Sequence, residues 1–187
     1  MPFQRAKYAK MKLVKESIIH ENGSYLRDSV FAASDGLITT FAVVAGAQGA
    51  GLGPSIVVVM GFANLFADGI SMSSGTYLGT KSETEFEQKE GDYHINRATP
   101  LKQALVSFVS FDFAGLIPLI PFIIRLPGAF SMSVGMVFLS LFIIGSIRGK
   151  YTGKNWLRSG IESLSVGGVA ALVAYYTGDI IEKIIMR

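Results

Sequence analysis

The stretch "SIVVVMGFANLFADGISMSSGTYL", residues 55–78, is long enough to cross a bilayer as one helix, and its single charged residue is Asp68. About 20 predominantly apolar residues, rising 1.5 Å each, cover the hydrocarbon core. A helix satisfies its own backbone hydrogen bonds there, so the stretch reads as a transmembrane span. Four further runs of similar character lie at about 30–50, 101–124, 130–147 and 160–181. Between the runs stand "GAGLGP", the charged segment 81–102, "RLPGA" and "RGKYTGKNWLR", all containing turn formers or charges. The sequence predicts an all-α integral membrane protein with five transmembrane helices, built as a single membrane domain over 1–187.

Composition agrees. Half of the 187 residues are hydrophobic and the mean hydropathy is positive, in continuous runs rather than amphipathic patterns. No cysteine is present, which excludes disulfides, thiolate metal sites and a cysteine nucleophile. The basic first thirty residues lack a continuous apolar core ending in a small-residue cleavage site, so no cleaved signal peptide is expected. Positive charge sets the orientation. With the N-terminus cytoplasmic, all of the 17 Lys and Arg except Arg125, Lys183 and Arg187 fall on the cytoplasmic side, which leaves the C-terminus outside. That asymmetry accounts for the net charge of +3 without a nucleic-acid partner. Within the cytoplasmic segment 1–28, "RAKYAKMKLVKESIIHE" spaces Tyr8, Met11, Val14 and Ile18 as one face of a helix, the pattern of an interfacial amphipathic helix leading into the first span.

A carboxylate in the hydrocarbon layer costs several kcal/mol unless it is paired, hydrated, protonated or metal-bound, so each one is a functional candidate. Asn64, Asp68 and Met72 recur at i, i+4 and i+8 on one face of the second span. In the first span, Asp35 lies roughly 7 to 8 Å inside the cytoplasmic edge and Met72 roughly 9 Å, so the two are expected to face one another at one depth. An amide oxygen, carboxylates and a thioether together favour a softer first-row divalent ion such as Fe²⁺ or Co²⁺, where oxygen alone would suit Mg²⁺, Ca²⁺ or Mn²⁺. Taken singly, Met72 could fill a core gap and Asp68 could make a helix-to-helix hydrogen bond; their position on one face points instead to a metal path. Asp112 in "SFDFAGLIPLIP" is a secondary polar candidate, in a span where Pro118 and Pro121 free backbone carbonyls. Past the second span, Glu83, Glu87, Glu90 and His94 fall at i, i+4, i+7 and i+11 in a short acidic cytoplasmic loop, 81–102, and can collect cations if the helix continues. Small residues four apart, such as Gly75 and Gly79 or Gly167 and Ala171, favour close helix contacts and a subunit interface.

The segments "RDSVFAASDGLITTFAVVAGAQGA", "GFANLFADGISMSSGTYLGTKSE", "QALVSFVSFDFAGLIPLIPF" and "WLRSGIESLSVGGVAALVAYYTGDII", in that order, resemble those of the vacuolar iron transporters. The resemblance implies five membrane helices and a homodimer with its path at the subunit interface. It also implies movement of Fe²⁺, and often Mn²⁺, out of the cytosol against protons, with metal as cargo and no resident cofactor. Asp35 looks like the family's first-helix aspartate and Met72 its second-helix methionine. Two features depart from the family pattern. Asn64 stands where the family usually has glutamate, and Asp68 where it has glycine, so the carboxylate is displaced by one turn. Only about twenty residues stand where iron-transporting members often carry a long Glu- and Met-rich helical domain. The rival readings are a non-transporting membrane scaffold assembled through the small-residue faces, and an intramembrane aspartyl enzyme. The latter expects a GxGD motif, which the chain lacks.

Overall fold

The computed structural model describes residues 2–90 and 99–185, with side chains for 21–90 and 99–184. Among the described residues every regular element is helical. They are α1 (Pro2–Gly49), α2 (Pro54–Lys89), α3 (Pro100–Leu116), a 3₁₀ turn (Ile117–Leu119), α4 (Ile120–Ile123), α5 (Ala129–Tyr151) and α6 (Trp156–Ile185). Five segments are long and apolar enough to span a membrane: Glu21–Gly49, Pro54–Lys89, Pro100–Ile123, Ala129–Tyr151 and Trp156–Ile184. The chain is a multi-pass integral membrane protein.

Two helices run further than the apolar runs alone imply. The α1 backbone is unbroken from Pro2, so the basic N-terminal segment continues into the first span rather than forming a separate element; the side chains that would make its apolar face lie outside the described residues. Likewise α2 continues to Lys89 with Glu90 as its C-cap, so the first part of the 81–102 segment is helix, not loop. No Gly or Pro interrupts 80–90, and Lys81 and Glu85 pair at i, i+4 across 3.9 Å, a spacing that supports helix.

The turn between α1 and α2 is built by its glycines. Gly51 takes φ 64°, a left-handed conformation that costs glycine little. Leu52 N–H then donates to the Ala47 carbonyl and Gly51 N–H to that of Gln48, the paired closure of a Schellman motif. Pro54 opens α2 at its first turn, where its missing N–H goes unfelt. This reversal fixes the register of α1 against α2.

At the centre of the bundle α1 touches α2, α3, α5 and α6. Leu37, Phe41 and Val44 from α1 pack with Val57, Ala114, Leu119, Phe122, Val137 and Leu141 in one apolar core. Close approach depends on small residues: a Cβ on Gly36 would strike the Phe111 backbone of α3, and one on Gly178 of α6 would strike the Gly46 backbone. Outward-facing Val166, Val169, Leu172 and Val173 leave α6 an apolar surface suited to lipid. Pro118 and Pro121 do interrupt the third span, giving the 3₁₀ turn and the short α4. The Pro118 carbonyl accepts a 2.8 Å hydrogen bond from the buried Ser133 hydroxyl of α5.

Candidate metal path between α1 and α2

The helical spacing of α2 separates two stripes. Val57, Gly61, Leu65, Gly69 and Thr80 are buried, and Thr76 and Thr80 bond to Ser107 and Gln103 of α3 through their side chains. This is the face that packs. Beside it runs a second stripe at the same period: Asn64, Asp68 and Met72 are half-buried, and Gly75, Gly79 and Glu83 are exposed. Nothing lies within 4 Å of where a Cβ would stand on Gly75 or Gly79. Among the described residues, neither glycine is required by a close helix contact.

A cleft of about 680 Å³ follows that second stripe. It is lined on α2 by Met72, Gly75, Thr76, Gly79, Thr80 and Glu83, and on α1 by Arg27, Asp28 and Phe31. Along α2 the cleft runs from Glu83 at its outer end to Met72 at its inner end, with the buried Asp28 facing it from α1. Asp28 was not singled out from the sequence. It is 8% exposed; one oxygen accepts from Arg27 Nε at 2.9 Å, and the other, Oδ2, is buried without a partner among the described residues. Its signal was present as spacing, since residues 28 and 35 lie two turns apart on one face.

Deeper in, the register differs from the expected one. Met72 packs against the cluster of Ala32, Leu65 and Phe111, while Gly36, next to Asp35, rests on the Phe111 backbone and Gly69, next to Asp68, lies against the carboxyl group of Asp112. The structure thus sets Asp35 level with Asp68, and Met72 about one turn nearer the charged end of α2. The estimate from presumed membrane edges failed because both helices run past those edges, whereas the tight turn aligns them from the opposite end. One turn beyond Asp68 stands Asn64, whose Nδ2 is buried without a partner among the described residues, as is Thr40 Oγ1 on α1. Thr40 Oγ1 and Leu65 Cδ1 both meet the space beside Gly115, which puts Thr40 at the level of residues 64 and 65.

Asp112 sits apart, on α3 behind α2. It is 9% exposed, and a Cβ on Gly69 would stand 2.8 and 3.0 Å from its two oxygens. Glu83 and Glu90 are exposed on the α2 extension, and Glu87 is half-buried; the three share a helical face as expected, while His94 lies outside the described residues. No group of three or more His, Cys, Asp or Glu converges closely enough to form a closed metal cage among the described residues. The candidate residues are strung along a cleft rather than gathered in one cluster.

The model of the VIT family matches residues 26–94 and 91–179. The chain is similar to a vacuolar iron transporter of Toxoplasma gondii, 27% identical over 238 aligned positions, with 91% of this chain and 79% of that protein covered. It is similar to vacuolar iron transporter 1 of Oryza sativa subsp. japonica, 27% identical with 82% and 84% covered, and to vacuolar iron transporter 1 of Arabidopsis thaliana, 27% identical with 86% and 87% covered. The first alignment is longer than this chain, so that relative has residues with no counterpart here. The two family matches meet at the α2–α3 connection.

Proposed function

The chain belongs to the VIT family, and on that premise we propose that it moves Fe²⁺, with Mn²⁺ as a second substrate, out of the cytosol by proton antiport as a homodimer. The observation that carries this reading is the placement of Asp35 and Asp68 at one level on adjacent spans, set by Gly36 against Phe111 and Gly69 against Asp112. Two carboxylates in a low-dielectric site repel one another until a cation joins them. A divalent metal neutralises both at once, and protons compete for the same oxygens, so occupancy by one excludes the other. The exposed Gly75 and Gly79 give α2 a face that a second subunit can approach closely. Metal enters past Glu83 and Asp28, meets Met72, passes between Asp35 and Asp68, and leaves past Asn64 toward the α1–α2 turn. Positive charge at the opposite end of the bundle orients that route outward.

The test is uptake of Fe²⁺, Mn²⁺, Co²⁺ and Zn²⁺ into proteoliposomes with and without a pH gradient. Fe²⁺ flux that rises with an opposing proton gradient is expected. A scaffold would give no flux, and an aspartyl enzyme would cleave peptide without needing a gradient. In the same assay Met72→Leu, which conserves apolar volume, is expected to lower Fe²⁺ and Co²⁺ transport roughly tenfold and Mn²⁺ less, because a thioether prefers the softer ions. Equal losses for all three would leave Met72 a packing residue. Neutralising Glu83, Glu87 and Glu90 together is expected to weaken apparent metal affinity several-fold while the maximal rate holds. A collecting surface raises local cation concentration without joining translocation, and added salt should reproduce the effect. A collapse of the maximal rate would move these residues into the path itself.

A further inference from the structure

We propose that Asp112 is a proton site of the transporter, separate from the metal ligands, and contributes one exchanged proton for each metal ion moved. The inference rests on the antiport reading above and deepens it. Both Asp112 oxygens are buried and neither has a hydrogen-bond partner among the described residues. Its surroundings are defined on each side. From α2, the backbone at Gly69 closes over the carboxyl group, and the next residue along is Asp68. From α1, Gly36 rests on the Phe111 backbone, and the residue before it is Asp35. Three carboxylates on three helices thus occupy one level of the bundle.

Among the described residues no cation accompanies them within the spans. In 29–49, 54–80 and 103–123 the charged residues are Asp35, Asp68 and Asp112 alone, and 129–147 of α5 has none. On α6 the nearest acid, Glu162, is already paired with Arg148 at 2.7 Å. One divalent ion balances the Asp35 and Asp68 charges and leaves the third carboxylate unbalanced. An ionised, unpaired carboxylate in this position would cost several kcal/mol; a proton removes that cost at once. Asp112 is accordingly held as the neutral acid while α2 lies against α3.

Gly69 makes the proton exchangeable. A larger residue there would push the carboxyl group away, so glycine lets Asp112 sit directly against the helix that holds Asp68. A shift of α2 that passes metal onward changes the cover over Asp112 and lets its proton leave to one side. This divides the labour: Asp35 and Asp68 hold metal or protons in exchange, and Asp112 carries a proton that metal never displaces by ligation.

The test uses the full-length protein in bilayers. Asp112→Asn keeps the shape and removes the acid. It is expected to lower by one the number of protons exchanged per metal, read from the pH gradient at which net flux reverses, and to leave metal affinity unchanged. Infrared difference spectra should show a carboxylic-acid C=O band at neutral pH in the wild type that the variant lacks. An unchanged proton count in Asp112→Asn overturns the proposal, and so does a loss of metal affinity, which would make Asp112 a ligand. Should Asp112→Asn fail to assemble, Gly69→Ala, which presses on the same carboxyl group, is expected to lower the proton count in its place, and an unchanged count there is equally fatal. If wild-type flux ignores the pH gradient altogether, the antiport reading fails; the infrared band then decides Asp112 alone, its absence overturning the proton site.

Discussion

Asp35→Ala is expected to reduce metal flux by about 100-fold or more while the protein stays folded and assembled. Even a group that only supports a ligand is worth 10- to 100-fold in affinity, and a charged ligand facing the cargo sits at or above that range. The folded state has little to lose. Asp35 is half-buried, and the bond that Thr39 Oγ1 makes goes to the Asp35 carbonyl at 2.8 Å, not to its carboxylate. Removing the carboxylate also takes away one of two like charges at the same level of the bundle. Thermal stability measured by size-exclusion chromatography after heating should therefore equal or exceed that of the wild type, while uptake in proteoliposomes is lost. Undiminished Fe²⁺ uptake by the assembled variant would remove Asp35 from the path. Loss of both uptake and stability would reduce it to a structural residue.

The five spans were legible because lipid leaves the backbone one economical choice, and long apolar runs say so directly. That Asn64, Asp68 and Met72 share one face of α2 was legible for a similar reason, since they keep a helical period whatever the tertiary structure. The pairing of α1 with α2 was not. It depends on a turn in which Gly51 adopts a left-handed conformation, and a rise-per-residue estimate from assumed membrane edges cannot see that. Asp28 was missed because, beside Arg27 in a basic segment, it looks like surface charge; only the tertiary structure buries it at the cleft. Gly75 and Gly79 read from sequence as a helix-contact motif, and among the described residues nothing lies within 4 Å of where their Cβ atoms would stand. Asp112 was visible as a costly carboxylate, but its neighbour Gly69 on another helix was not, because that contact is made by packing across sequence-distant positions. Polar groups inside the bundle are where local pattern says least, for their meaning lies in what stands opposite.

Asp68→Asn is expected to lower metal flux by about 100-fold and to weaken its dependence on the pH gradient, leaving only the part carried by Asp112. With Asp68 neutralised, Asp35 faces a divalent ion alone, and the two-for-one balance that lets a metal replace protons is gone. The variant keeps a hydrogen-bonding side chain of the same shape at a half-buried position, so stability should change little. The stronger test is restoration. Asn64→Glu combined with Asp68→Gly returns a carboxylate to the stripe one turn, about 6 Å, further along α2, level with the Thr40 hydroxyl, which is buried without a partner among the described residues. A hydroxyl donor there favours a carboxylate over the present amide, whose Nδ2 is likewise unpartnered. The added glycine costs about 1 kcal/mol of helix stability, and the longer glutamate side chain recovers part of the axial displacement. Partial return of pH-dependent flux is therefore expected, with an altered order of metal preference because the ligands no longer lie opposite Asp35. Asp68→Asn that transports with normal pH dependence would make Asp68 a hydrogen-bonding group of the bundle and leave Asp35 to couple metal and protons without it.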